Sequence, residues 1–151
     1  MNKLSNNSIE EPLGRLLSHT GKSCLTLLNS RLSYLDIKRN YYALTLIEQA
    51  DGKITQQDLA LLLDTSKVIV VRIVDYLSGK GYIERIKDNS DRRKYRLSLT
   101  AKAKKELPEI KKTLNEVIKT ALKGVEESKV KELYAILNVI KSNLKEVETS
   151  L

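Results

Sequence analysis

Residues 54–100, ITQQDLALLLDTSKVIVVRIVDYLSGKGYIERIKDNSDRRKYRLSLT, admit few folds. Thr55, followed three positions later by Asp58, predicts a helix start with a capping box in which Asp replaces the usual Glu. A second helix begins near Thr65 or Ser66 and stops at Gly79-Lys80-Gly81. At 100° per residue, Ser66, Val70, Ile73, Val74 and Leu77 share one stripe, expected to pack on a core. Val68, Val71, Arg72 and Asp75 lie roughly opposite. Two valines facing outward fit contact with something partly apolar, such as thymine methyl groups, or the loose amphipathicity of a β-branched helix. Tyr82 to Lys87 and Lys94 to Leu99 read as two strand arms, with Tyr95, Leu97 and Leu99 alternating against Arg96 and Ser98. The loop between them, DNSDRR, ends in two arginines, and Thr100 caps the next helix. The run is a helix-turn-helix followed by a basic hairpin.

Charge reinforces this reading. Between Lys80 and Lys105 ten Lys/Arg face only Glu84, Asp88 and Asp91, a net +7 of the chain's +8 within 26 residues. So dense a cluster is the footprint of a polyanion partner, because each neutralised phosphate releases condensed counterions.

The rest of the chain supplies helices. Its 151 residues, 41% hydrophobic and 30% charged, suit one globular domain with a real core. With seven Tyr, no Trp and no Phe, that core must be built from Leu, Ile and Val. Residues 1–10 are polar and expected to fray. From Pro12 a helical pattern runs through Leu13, Leu17, Cys24, Leu28, Leu32 and Leu35. A second helix spans about Lys38 to Ala50, with Ala43, Leu46, Ile47 and Ala50 on one face, and Asp51-Gly52 ends it. After residue 100, Leu107, Ile110, Leu114, Val117 and Ala121 repeat at three- and four-residue steps. Beyond Gly124, Val130, Leu133, Leu137, Ile140, Leu144 and Val147 do the same. Such a seam seeks another helix; part of it would serve the chain's own first helix. Its length predicts a homodimer, with Leu13, Leu17, Leu133, Leu137, Ile140 and Leu144 at the interface.

The most specific stretch is residues 71–100. Lys80-Gly81-Tyr82-Ile83-Glu84-Arg85, Asp91-Arg92-Arg93 and the Leu97-Ser98-Leu99-Thr100 strand end stand in an order and spacing that resembles the MarR family of winged helix-turn-helix transcription regulators. The resemblance covers nearly the whole chain. It implies a mainly α fold of about six helices plus a β-hairpin wing. A single domain, 1–151, would contain a DNA-binding lobe at 38–100. Residues 11–35 and 101–148 would form a helical dimerisation region. It further implies that Arg93, or Arg92 beside it, enters the minor groove, where narrow A/T-rich segments attract guanidinium. Asp91 would hold that arginine in place, and Lys94 would complete the wing. Ser66, Lys67, Val68, Val71 and Arg72 would face the major groove. Thr55, Gln56 and Gln57 would present hydroxyl, amide and backbone N–H groups to a phosphate. Family members often carry Thr or Ser where Ile69 and Val71 stand, so the base preference need not follow theirs.

Other chemistries lack support. His19 is the only histidine and Cys24 the only cysteine, so neither a transition-metal site nor an internal disulfide is expected. Cys24 falls well inside the first helix on its apolar stripe, the place of a buried small hydrophobe rather than a peroxide sensor. No nucleophile motif or phosphate loop occurs, and no enzymatic activity or cofactor is expected. No apolar run reaches the roughly 18 residues of a membrane helix, and the N-terminus lacks a signal peptide's apolar stretch. A cytoplasmic protein is expected. Relatives often bind small aromatic or anionic effectors; Arg31, Tyr34, Tyr41 and Tyr42 either line such a pocket or pack helix on helix. The expected function is a homodimeric regulator, a repressor, on pseudo-palindromic double-stranded DNA. A non-specific nucleoid protein and a winged-helix protein-interaction module are the alternatives.

Overall fold

The computed structural model describes residues 11–149. The first helix, α1 (Leu13–Leu32), starts behind Pro12, whose fixed φ suits a helix entrance. Only its C-terminal end is buried, through Leu28 and Leu32; Leu13, Leu16, Leu17 and Leu25 remain exposed. The pattern that seemed to carry α1 on to Leu35 instead tightens into a 3₁₀ turn over Ser33–Leu35.

The next helix, α2 (Tyr41–Gln49), begins three residues later than the sequence suggests. Asp36 and Lys38 both take left-handed backbone angles, φ 48° and 52°, which no α-helix can contain. The side chain of Lys38 lies over the Tyr76 ring, 4.4 Å from its centre, and helps hold that turn. Helix α2 is buried on nearly every side, Leu44 and Thr45 included, so it is the central helix of the core rather than a one-faced one.

Asp51 and Gly52, at φ 47° and 72°, reverse the chain into a strand that the sequence reading missed, β1 (Ile54–Thr55). Then come α3 (Gln56–Leu62), α4 (Lys67–Gly79), β2 (Ile83–Lys87), β3 (Tyr95–Leu99) and α5 (Ala101–Ala121). The three strands form an antiparallel sheet in the order β1-β3-β2, with Ile54 opposite Leu97 and Arg85 opposite the same residue from the other side. Leu97 and Leu99 are buried, as alternation predicts. Tyr95 is exposed, because the end of the hairpin projects beyond the core.

Ile37, Leu44, Leu59, Val70, Val74, Leu77, Leu97 and Ile110 are wholly buried in a core of Leu, Ile and Val. Tyr82, also buried, donates its hydroxyl to the Leu35 carbonyl at 2.6 Å. The Thr100 hydroxyl donates to the Gly81 carbonyl at 2.7 Å and accepts from the Ala103 amide, the expected cap on α5. This first compact unit extends to Val117. A second, from Ile118, contains the end of α5, a turn at Gly124 (φ 84°) and α6 (Glu127–Thr149). No described residue of α6 is buried, and Leu133, Leu144 and Val147 on its apolar stripe are exposed. Among the described residues no helix is long and apolar enough to cross a membrane.

Candidate nucleic-acid interface

Helix α4 is held by its inner stripe: Val70, Val74 and Leu77 are wholly buried and Ile73 half-buried. Ser66 departs from that stripe. It is exposed at the N-cap, where its Oγ accepts from the Ile69 amide at 3.3 Å. The outer face presents Lys67, Val68, Val71, Arg72 and Asp75, all exposed, and Ile69 joins the two valines there. Arg72 has no partner among the described residues. Its guanidinium stands free at the middle of the helix.

Helix α3 opens with the capping box expected from Thr55 and Asp58. The Asp58 carboxylate accepts from the Thr55 amide (2.9 Å) and hydroxyl (2.7 Å), while Thr55 Oγ1 accepts from the Asp58 amide (3.2 Å). These hydrogen bonds from Thr55 hold the Asp58 carboxyl below its ordinary pKa. The hydroxyl proton and amide of Thr55 are both committed to Asp58, so Thr55 braces the helix start. Gln57 remains exposed, and Gln56 turns its amide oxygen to Arg85 Nε at 2.8 Å.

The wing tip is organised by a residue the sequence reading left unassigned. Asp88 is 7% exposed, and its carboxylate accepts from the Ser90 amide and hydroxyl, from the Asp91 amide, and from Arg96 Nε at 2.6 Å. Those bonds, Ser90's foremost, hold its carboxyl well below the usual carboxylate range. Asp91 then braces Arg93, accepting from its amide at 3.0 Å and its Nε at 3.4 Å. The Arg93 side chain is 91% exposed. Arg92 is exposed without a partner among the described residues, and Lys94 is exposed beside it. The Asx turn at Asp88-Asn89-Ser90 was the signal available in the sequence.

Local neutralisation trims the basic footprint. Lys80 pairs with Asp36 at 2.5 Å, and Arg85 pairs with Asp75. Both carboxylates lie outside residues 80–105, so counting them lowers the local excess from +7 to +5. Tyr76 joins the first pair, donating to the Asp36 carbonyl and carboxylate at 2.9 Å each. Together these contacts fasten the end of α4 to the α1–α2 connection. Lys80, foremost, and Tyr76 lower the Asp36 pKa.

Thr55, Gln56, Gln57, Asp58, Arg85, Arg93, Lys94 and Tyr95 line a cleft of about 570 Å³ between α3 and the wing. Arg31, Tyr34 and Tyr42 do not line the cleft that Tyr41 lines. Tyr41 is buried with its hydroxyl on Asn29 (2.6 Å), and Arg31 pairs with Glu116 at 3.4 Å. Tyr34 and Tyr42 point to solvent. The 3₁₀ turn and left-handed residues re-aim the first, and one helical step of about 100° separates the second from Tyr41. A cleft of about 600 Å³ nearby includes Tyr41, Asn29, Lys38 and Arg39 instead. Cys24 is half-buried against the core, and no cluster of His, Cys, Asp and Glu suited to a metal occurs among the described residues.

Comparison with known proteins agrees with this geometry. Residues 39–95 match the MarR family. The chain is 25% identical to a MarR transcriptional regulator from Methanosarcina mazei Go1, covering 89% of this chain and 97% of that one, with a TM-score of 0.78. It is 26% identical to apo MarR from E. coli, covering 87% and 98%, TM-score 0.69. The transcriptional regulator SlyA shares the fold at TM-score 0.84 and 23% identity, over 90% and 96% of the two chains. Over residues 39–95 and in its fold, this chain is similar to the MarR family of winged helix-turn-helix transcriptional regulators.

Proposed function

We propose that the protein is a homodimeric repressor that occupies a pseudo-palindromic operator in the cytoplasm. The observation that carries this reading is the pairing of an outward recognition face with a braced arginine at the wing tip. Lys67, Val68, Val71 and Arg72 would meet base edges and phosphates in the major groove, Val68 and Val71 against thymine methyl groups. Arg93, aimed by Asp91, would enter the adjacent minor groove. Gln56 and Gln57 would contact the backbone between them. The stripe of α6, with Leu133 and Leu144 exposed and Leu137 and Ile140 half-buried, and the exposed Leu13 and Leu17 of α1 support pairing with a second copy. A small anionic effector held near Lys38 and Arg39 would release the DNA; the cleft there supports that part of the reading.

Selection of duplexes from a random pool, followed by competition with random DNA, tests the proposal. A specific regulator should prefer its selected site by about a thousandfold or more. Equal competition by random DNA would instead identify a nucleoid protein, and absence of salt-dependent DNA affinity would identify a protein-interaction module.

A further inference from the structure

Arg85, in the basic hairpin, reaches both helices of the helix-turn-helix. Its Nε donates to Gln56 Oε1 of α3 at 2.8 Å, and its terminal nitrogen pairs with Asp75 of α4. Its backbone is fixed in the sheet opposite Leu97, and its side chain is only 31% exposed. Guanidinium has no acceptor, so the Gln56 atom it faces must be the amide oxygen. Gln56 and Arg85 both line the cleft shared with Arg93, Lys94 and Tyr95, and with its oxygen engaged by Arg85 the Gln56 amide keeps its NH₂ for another acceptor.

Resting on the DNA-binding reading above, we propose that Arg85 is a positioning residue. It contacts no DNA itself but locks the Gln56 amide so that its NH₂ donates to a backbone phosphate entering this cleft. The same side chain neutralises Asp75, a carboxylate on the outer face of the recognition helix that would otherwise repel that phosphate. An arginine spent in this way adds affinity through geometry rather than counterion release. Its signature therefore differs from that of Arg93: affinity should depend on it while the salt slope does not.

The test uses the full chain and a selected duplex, with affinity measured across a salt series. The charge-balanced double change Asp75→Asn/Arg85→Met should weaken binding about tenfold, the scale of one hydrogen bond to a charged group, with the salt slope unchanged. In a Gln56→Ala background, the same double change should have no further effect. If Arg85 touches phosphate directly, the loss will persist in that background and the slope will fall by about 0.9 per protomer, overturning the proposal. Gln56→Glu guards against misfolding of the double variant. It preserves a partner for Arg85 but removes the NH₂, so it should bind more weakly than Gln56→Ala; wild-type affinity would overturn the proposal. Wild-type protein that binds no DNA overturns both this inference and the reading beneath it. Intact wild-type binding with additive losses overturns this one alone.

Discussion

Replacing Arg93 with Ala separates the wing's contribution to folding from its contribution to binding. The side chain is 91% exposed and its ion pair with Asp91 is long at 3.4 Å. Exposed pairs contribute about 0–1 kcal/mol, and surface substitutions away from special features stay within about 0.5 kcal/mol. The thermal midpoint should therefore shift by no more than about 2 °C in a domain of this size. On DNA the same side chain would lose its minor-groove and phosphate contacts, about 1 to 3 kcal/mol, or roughly 5- to 150-fold in Kd. With one wing per protomer, a dimer sheds two phosphate interactions, so the salt slope should flatten by about 1.8. Fluorescence anisotropy on a selected duplex over a range of salt concentrations reads both quantities. The magnitudes favour Arg93 over Arg92 because Asp91 pre-aims only the former. If Arg92→Ala and Arg93→Ala both retain wild-type affinity and salt dependence, the wing is not a DNA contact and the reasoning fails.

Arg72→Ala should instead change which sequences are enriched from a random pool, since base edges in the major groove carry the richer code; an unchanged preference would remove Arg72 from readout. Leu77→Ala should destabilise the fold by about 2–5 kcal/mol in urea unfolding, because the side chain is wholly buried on the inner face of α4. Leu137→Lys with Ile140→Lys should abolish the dimer in light scattering, whereas a folded, dimeric double variant would displace the interface from α6. Cys24→Ser should leave DNA binding and its response to peroxide unchanged; peroxide release lost in the variant would make Cys24 a sensor. The Asp88 carboxyl is held below its ordinary value, so its contribution to wing order is complete above pH about 3.8 and is lost only as pH falls through the depressed folded value. Its carboxyl carbon resonance should accordingly titrate well below 3.8, and a midpoint at or above 3.8 would contradict the brace.

Local rules made much of this lobe legible. The Thr55–Asp58 box, the Ser66 helix start, the Val70-Val74-Leu77 stripe and the hairpin arms all depend on neighbours within a turn or a strand, and the structure contains each of them. What the sequence hid depends on distant partners. The two residues of β1 are too short for a period-2 signal and exist because Ile54 pairs with Leu97. The delayed start of α2 follows from left-handed Asp36 and Lys38, stabilised by Tyr76 and Lys80 some forty residues away. Charge counting finds the basic run but cannot distinguish Arg85, committed to Asp75 and Gln56, from Arg92, which is free among the described residues. Tyr34 and Tyr42 looked equivalent to Tyr41 by composition, but only the helix phase and the preceding turn decide which one enters the core.

Hydroxyl-radical protection of a selected duplex tests the central claim most directly. The account predicts two dyad-related protected segments with recognition helices in successive major grooves, about 10–10.5 base pairs apart. Minor-groove protection should flank them at the wings and disappear on Arg93→Ala. Uniform protection without dyad symmetry, or a pattern indifferent to Arg93, would contradict it.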